Sequence, residues 1–189
     1  MQIPAKILEE FDKLKEQFVT KYKKPKISWS KCTGSITSKI FSHYIKKYSK
    51  GKFDISNENA FIEGFPKEWD LLIVKKGRKP YKFTAIYKPE DVICCMEFKT
   101  SGLRKNDEQL KEYAKKIKKE HGLLRKKNKS IKIIYLTMKV SDEYFEKTEK
   151  NFNPIPCFRL GRNERTAEVC ENEDVWKELI AEIVSPSKS

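Results

Sequence analysis

Three charged residues stand where strands should be apolar. Glu97 and Lys99 close the run from Asp91 to Phe98 (DVICCMEF), and Asp70 lies within a second apolar segment, WDLLIV. Side chains two apart on a strand point to one face, so Glu97 and Lys99 share a face, as do Glu68 and Asp70. Burying an unpaired carboxylate costs several kcal/mol, so these groups need each other, a cation, or the solvent of a cleft. Two carboxylates on adjacent strands can share a divalent cation such as Mg²⁺, which prefers hard oxygen ligands and keeps several waters. A lysine beside them would hold an attacking water or offset charge developing on a phosphate. The cation would lower that water's pKa and polarise the phosphoryl oxygen. Those parts suffice to hydrolyse a phosphodiester. The plain alternative is a structural ion pair at a sheet edge, with Lys99 bridging the two acids. The uninterrupted apolar stretch before Glu97 weighs against it, because structural charges seldom end a central strand.

The elements that must position these residues follow from hydrophobic spacing. Ile7, Leu8, Phe11, Leu14, Phe18 and Tyr22 mark a helix over 4–23, and Pro25 closes it. A second helix is predicted from Ser35 to Tyr48, with Ser35 as N-cap and Gly51 as its end. Strands are predicted over Ala60 to Phe65, Trp69 to Val74, Tyr81 to Ile86 and Asp91 to Phe98, with KKGRKP as a turn. The last of these is nearly continuous in apolar residues and so central in the sheet. A helix from Asp107 to Glu120, stopped by Gly122, leads to a buried strand over Ile131 to Met138. Strand, helix and strand at this spacing make a parallel crossover. Beyond residue 140 a short strand, Cys157 to Leu160, and a helix, Asp174 to Val184, are expected. No repeat or linker divides the chain, so 1–189 reads as a single domain.

Asp70 in WDLLIV, then Glu97-Phe98-Lys99 in ICCMEFKTSG, then a helix, resembles the PD-(D/E)XK nuclease superfamily. The resemblance covers about 35–140 and implies an α/β fold. Its restriction-endonuclease-like αβββαβ core has a mixed central sheet flanked by helices, here with extra N- and C-terminal helices over 4–23 and within 141–189. It implies a nuclease using Mg²⁺ or Mn²⁺, with DNA favoured over RNA. Asp70, Glu97 and the Phe98 backbone carbonyl would hold metal, and Lys99 would orient the water. Glu63 and Glu68 are reserve ligands. The chain departs from the family in three ways: Trp69 precedes Asp70 where proline is usual, the gap from Asp70 to Glu97 is long, and the helix from Ser35 to Tyr48 has no acid. Glu63 or Glu58 could stand in for that acid. Gln109 and Tyr113 resemble the substrate-placing Gln-x-x-x-Tyr of the RecB-type branch. Asn106 with Gln109 also makes a capping box, and Tyr113 falls on the buried stripe, so capping and packing is the favoured reading. Lys75, Ser101 and Arg104 are further substrate-binding candidates. His43 could bind metal, as in the viral cap-snatching branch, although a single helical histidine is usually structural.

The balance of the sequence agrees with a nucleic-acid partner. The net charge is +14, which attracts polyanions. Tyrosine and lysine interleave in KYKKPK and KPYKF, which would suit stacking on bases. No apolar run is long enough to span a bilayer, so no membrane role is expected. The five cysteines, Cys32, Cys94, Cys95, Cys157 and Cys170, lack metal or disulfide spacing, which fits a reducing cytoplasm. No GxSxG frame or GxxxxGK loop is present, which argues against acyl transfer and ATP hydrolysis. A homodimer or a larger nuclease assembly is a further expectation.

Overall fold

The computed structural model describes residues 2–21, 29–49, 51–56, 59–101, 107–163, 168–171 and 173–185. Two helices open the chain, α1 (Ile3–Lys21) and α2 (Trp29–Tyr48). The second begins six residues before the predicted start, so Ser35 lies inside the helix and not at its N-cap. Three short strands follow: β1 (Phe53–Ile55), β2 (Ala60–Ile62) and β3 (Glu68–Trp69). Next come β4 (Leu71–Lys75), β5 (Ile86–Tyr87) and the long β6 (Val92–Ser101). Helix α3 (Asp107–Lys127) crosses to β7 (Lys132–Val140), and α4 (Asp142–Phe152), β8 (Cys157–Asn163), β9 (Glu168–Cys170) and α5 (Glu173–Val184) complete the order.

A six-stranded mixed sheet runs β1-β4-β6-β7-β8-β9, and β3-β2-β5 form a separate small sheet. The expected parallel crossover is present, with β6 and β7 paired in parallel from Cys94↔Lys132 to Ser101↔Lys139. The sheet also extends past residue 140, because β8 pairs in parallel with β7. Strand β6 is covered on both faces. Cys94, Met96 and Phe98 join the core beneath α1, α2 and α5, whereas Val92 and Cys95 join the core beneath α3, α4 and the small sheet. That double burial explains its unbroken apolar run. Cys94 and Cys95 are fully buried, and burial pushes both thiols up, away from the reactive thiolate. No described helix is long and apolar enough to cross a membrane.

Two further sequence expectations are corrected. The predicted strand from Tyr81 to Ile86 is mostly a turn, because Phe83 takes a left-handed φ of 63° and Thr84 N–H donates back to the Tyr81 carbonyl at 2.9 Å. Gly122 does not stop α3, since the helix runs on to Lys127 and Leu124 continues the buried stripe two turns after Ile117. A glycine inside an exposed helix costs about 1 kcal/mol relative to alanine, and no atom lies within 4 Å of a Cβ built at Gly122. Gly122→Ala should therefore raise the unfolding free energy by about 0.5–1 kcal/mol in a urea titration. An unchanged or lower value would mean that the helix is interrupted there.

Candidate active site

The run EWDLLIV is split at its acid. Glu68 and Trp69 pair with β2, whereas Leu71 onward pairs with β1 and β6, so the chain changes sheets at Asp70. Leu71 lies opposite Met96 and Leu72 opposite Cys95. One step further along this antiparallel register sets Asp70 across from Glu97. Opposed residues on one face have Cβ atoms about 4.5–5.5 Å apart. With no strand residue left to engage it, the Phe98 N–H donates to Asp70 Oδ2 at 2.7 Å. A side chain thus satisfies a backbone donor at the corner between the two sheets.

Glu97 is only 5% exposed, and three donors converge on it. Lys99 Nζ donates to Oε1 at 2.7 Å and Lys67 Nζ to Oε2 at 2.8 Å. The Tyr113 hydroxyl, reaching over from α3, also donates to Oε1. Lys67 rests over the Trp69 ring, 4.4 Å from its centroid, and gives a further hydrogen bond to the Glu68 carbonyl at 3.2 Å. Lys99 Nζ lies 5.2 Å from the Tyr113 ring centroid.

These surroundings drive the two acids apart. Burial pushes the Glu97 carboxyl up, but the Lys99 and Lys67 charges and their hydrogen bonds pull harder, so it is held below its ordinary value. Asp70 goes the other way. Burial, and then the Glu97 charge, raise its carboxyl, and the Phe98 N–H and the two lysines only partly offset them. Two like groups with opposed shifts are a common mark of a working site.

The raised Asp70 carboxyl has a consequence for stability. Because its folded pKa exceeds the ordinary 3.8, the folded state binds the proton more tightly, and stability falls as pH rises through that interval. Asn keeps an oxygen for the Phe98 N–H and removes the charge. In metal-free buffer, Asp70→Asn should melt above the wild type at pH 7, and the gap should shrink as pH falls towards 3.8. A gap that widens on acidification would contradict this electrostatic account.

Of the sequence candidates, Asp70, Glu97, Lys99 and Tyr113 come together, with Phe98 joined through its backbone. Tyr113 also packs on the stripe, with its ring 6.4 Å from Tyr135 and 6.1 Å from Phe152. Glu63 and Glu68 do not join. Glu63 is exposed and accepts from the Tyr81 hydroxyl at 2.7 Å, and Glu68 is exposed on β3. Among the described residues, no group of three or more His, Cys, Asp or Glu side chains converges. Lys75 ends β4 at the far side from Asp70, about 13 Å from Leu71 at about 3.3 Å per residue. His43 is exposed on α2, whose core lies on the opposite face of the sheet from Tyr113. Gln109 is exposed in the first turn of α3. Glu58, Arg104, Asn106 and the Ser101 side chain lie outside the described residues. The sequence reading missed Lys67, because one lysine after Pro66 carries no signal among 41 basic residues.

No protein-family profile matches the chain, and no curated protein matches it in sequence. Solved structures do match. NucC of E. coli MS115-1 in its cAAA-bound form is similar over 97% of this chain and 90% of that one, with a TM-score of 0.57 at 10% identity. NucC of P. aeruginosa ATCC27853, also cAAA-bound, is similar over 97% and 91%, with a TM-score of 0.53 at 10% identity. The apo form of the E. coli protein gives 94%, 91%, 0.51 and 11%. The fold is that of the PD-(D/E)XK nucleases. Within it, Asp70 lies between β3 and β4, and Glu97 and Lys99 lie in β6, the strand beside β4.

Proposed function

We propose that the protein is a divalent-metal-dependent nuclease that hydrolyses phosphodiester bonds in DNA, its described elements acting as one domain. One observation carries the reading: Asp70, just before β4, accepts from the Phe98 N–H and feels the charge of the neighbouring Glu97, to which Lys99 is bonded. The two carboxylates are hard oxygen donors, which suits Mg²⁺ or Mn²⁺. Asp70 and Glu97 would hold the cation. The N–H and C=O of a strand residue face the same edge, so the Phe98 carbonyl shares the side on which its N–H meets Asp70. When bound, the metal supplies Lewis acidity and a more acidic water. Lys99 positions that water or stabilises charge on the phosphate, and Tyr113 fixes the Glu97 carboxylate by hydrogen bonding.

A second reading is favoured by the completeness of the ion pairing. Glu97 is satisfied by Lys67, Lys99 and Tyr113, as it would be in a non-catalytic nucleic-acid-binding protein that keeps the fold. Melting with and without Mn²⁺, together with nicking of supercoiled plasmid, separates the two when wild type is compared with Glu97→Gln. Metal-dependent stabilisation and cleavage that both require Glu97 support the nuclease. Retention on heparin without either supports the binding protein.

A further inference from the structure

The segment 75–88 carries six cations, Lys75, Lys76, Arg78, Lys79, Lys82 and Lys88, and no acid. Phe83 stands in its turn, 94% exposed. Phenylalanine is among the residues most often buried, and here the backbone holds it out. Its φ of 63° is in the left-handed region, which bulky residues rarely adopt and which persists only where the surroundings over-determine it. They do so here. Thr84 N–H and its hydroxyl both donate to the Tyr81 carbonyl, at 2.9 and 2.8 Å. Ile86 N–H donates to Thr84 Oγ1 at 3.2 Å, and Tyr81 N–H to the Ile86 carbonyl at 2.9 Å. Lys82 Nζ lies 5.0 Å from the centroid of the Phe83 ring.

Glu63 accepts from Tyr81 and Asp91 pairs with Arg78 at the base of the turn, but the ring itself stands beside the Lys82 ammonium. A strained, hydrogen-bonded turn that presents it so does not fit a protein interface, whose core is depleted in charge. It fits a duplex, where cations neutralise phosphates and an apolar side chain enters between base steps. The turn also belongs to the small sheet beside the site. Ile86 lies across from Phe61, and Phe61 across from Glu68. That makes two strand spacings, about 10 Å, or about three base steps at about 3.4 Å each. Glu68 is two residues from Asp70.

We propose that Phe83 is a wedge that unstacks a base step of duplex DNA while the flanking lysines hold its phosphates. The inference rests on the nuclease reading and adds a substrate contact to it. The test is fluorescence anisotropy of a short labelled duplex in EDTA, where no cleavage occurs, with wild type, Phe83→Gly and Phe83→Trp. Glycine takes a positive φ without strain, so Phe83→Gly should melt at or above the wild-type temperature. It should nevertheless bind about five- to tenfold more weakly, as expected for the loss of one base–aromatic stack. The salt dependence of that variant should match wild type, whereas Lys79→Ala should lower the slope by about one. Phe83→Trp should restore affinity. A 2-aminopurine placed in the duplex should brighten with wild type and stay dark with Phe83→Gly. Equal affinity of wild type and Phe83→Gly overturns the wedge alone. So does sedimentation in which the ring instead joins two copies of the chain, with DNA affinity unchanged. No binding of duplex by wild type would overturn the nuclease reading itself.

Discussion

Glu97→Gln should fold, lose its thermal response to Mn²⁺, and cleave plasmid DNA more than about 100-fold more slowly than wild type. The bound follows from rank. Removing a group that merely orients a metal ligand typically costs about 10–100-fold, and in the proposed function Glu97 is a ligand itself. Wild type at one hundred times its Kd for Mn²⁺ should gain about 2.7 kcal/mol of stability, or several degrees for a chain of this size. Without metal, the variant should also be weaker. Lys67 and Lys99 keep side-chain exposures of 14% and 26%, and each loses its anionic partner. Breaking a fully buried pair costs about 3–5 kcal/mol, and partial exposure reduces that here to about 1–3 kcal/mol. Because the folded pKa of Glu97 lies below its ordinary 4.5, this contribution is present above pH 4.5 and fades as acid protonates the carboxylate. The excess stability of wild type over Glu97→Gln should accordingly vanish in acid. Equal stabilisation of both proteins by Mn²⁺ would place the metal elsewhere and remove Glu97 from the site.

The parts of this fold that were legible in sequence are those where burial dictates composition. Strand β6 could be read because both of its faces are covered, so any charge in it stood out, and Glu97 and Lys99 stood out together. Helix ends were read poorly, because a local signal competed with packing. Gly122 is a stop by propensity, but the burial of Leu124 outweighs the modest cost of one helical glycine. Helix α4 was missed although Ser141 caps it by accepting from the Tyr144 N–H and Phe152 is fully buried. Its stripe is narrow in a segment otherwise crowded with charge. The break of EWDLLIV at Asp70 could not be read at all, since it depends on β2 taking Glu68 and Trp69 away from the main sheet. That same break creates the corner in which Asp70 meets the Phe98 N–H. Lys67 was hidden for a related reason: its role comes from the corner, which bends it onto Trp69 and Glu97, and not from any pattern in its neighbours.

Lys67→Met should bind Mn²⁺ at least about tenfold more tightly than wild type, a difference of about 1.4 kcal/mol. The ammonium group bonds Glu97 Oε2 at 2.8 Å, an oxygen that a dication at the same carboxylate would need. Two unit charges 4 Å apart repel by about 4 kcal/mol at an effective dielectric of 20, and a dication is repelled more strongly, so Lys67 would have to leave for the proposed metal to bind there. Leaving forfeits the ion pair and the cation–π contact with Trp69, the latter worth about 0.5–2 kcal/mol. Methionine keeps an apolar stem against the ring without competing for Glu97. Wild-type Trp69 fluorescence should therefore change as Mn²⁺ is added, because the ammonium leaves the ring, whereas the variant should stay nearly constant. Metal binding no tighter than wild type would show that Lys67 does not compete. Without metal the balance reverses, since Lys67 is one of the charges that lower both carboxyls. Lys67→Met should then melt lower than wild type when metal-free, yet gain more on loading. A lysine with only a packing role would lower both forms alike, so opposed responses would identify Lys67 as a cation that holds the Glu97 carboxylate in the absence of metal.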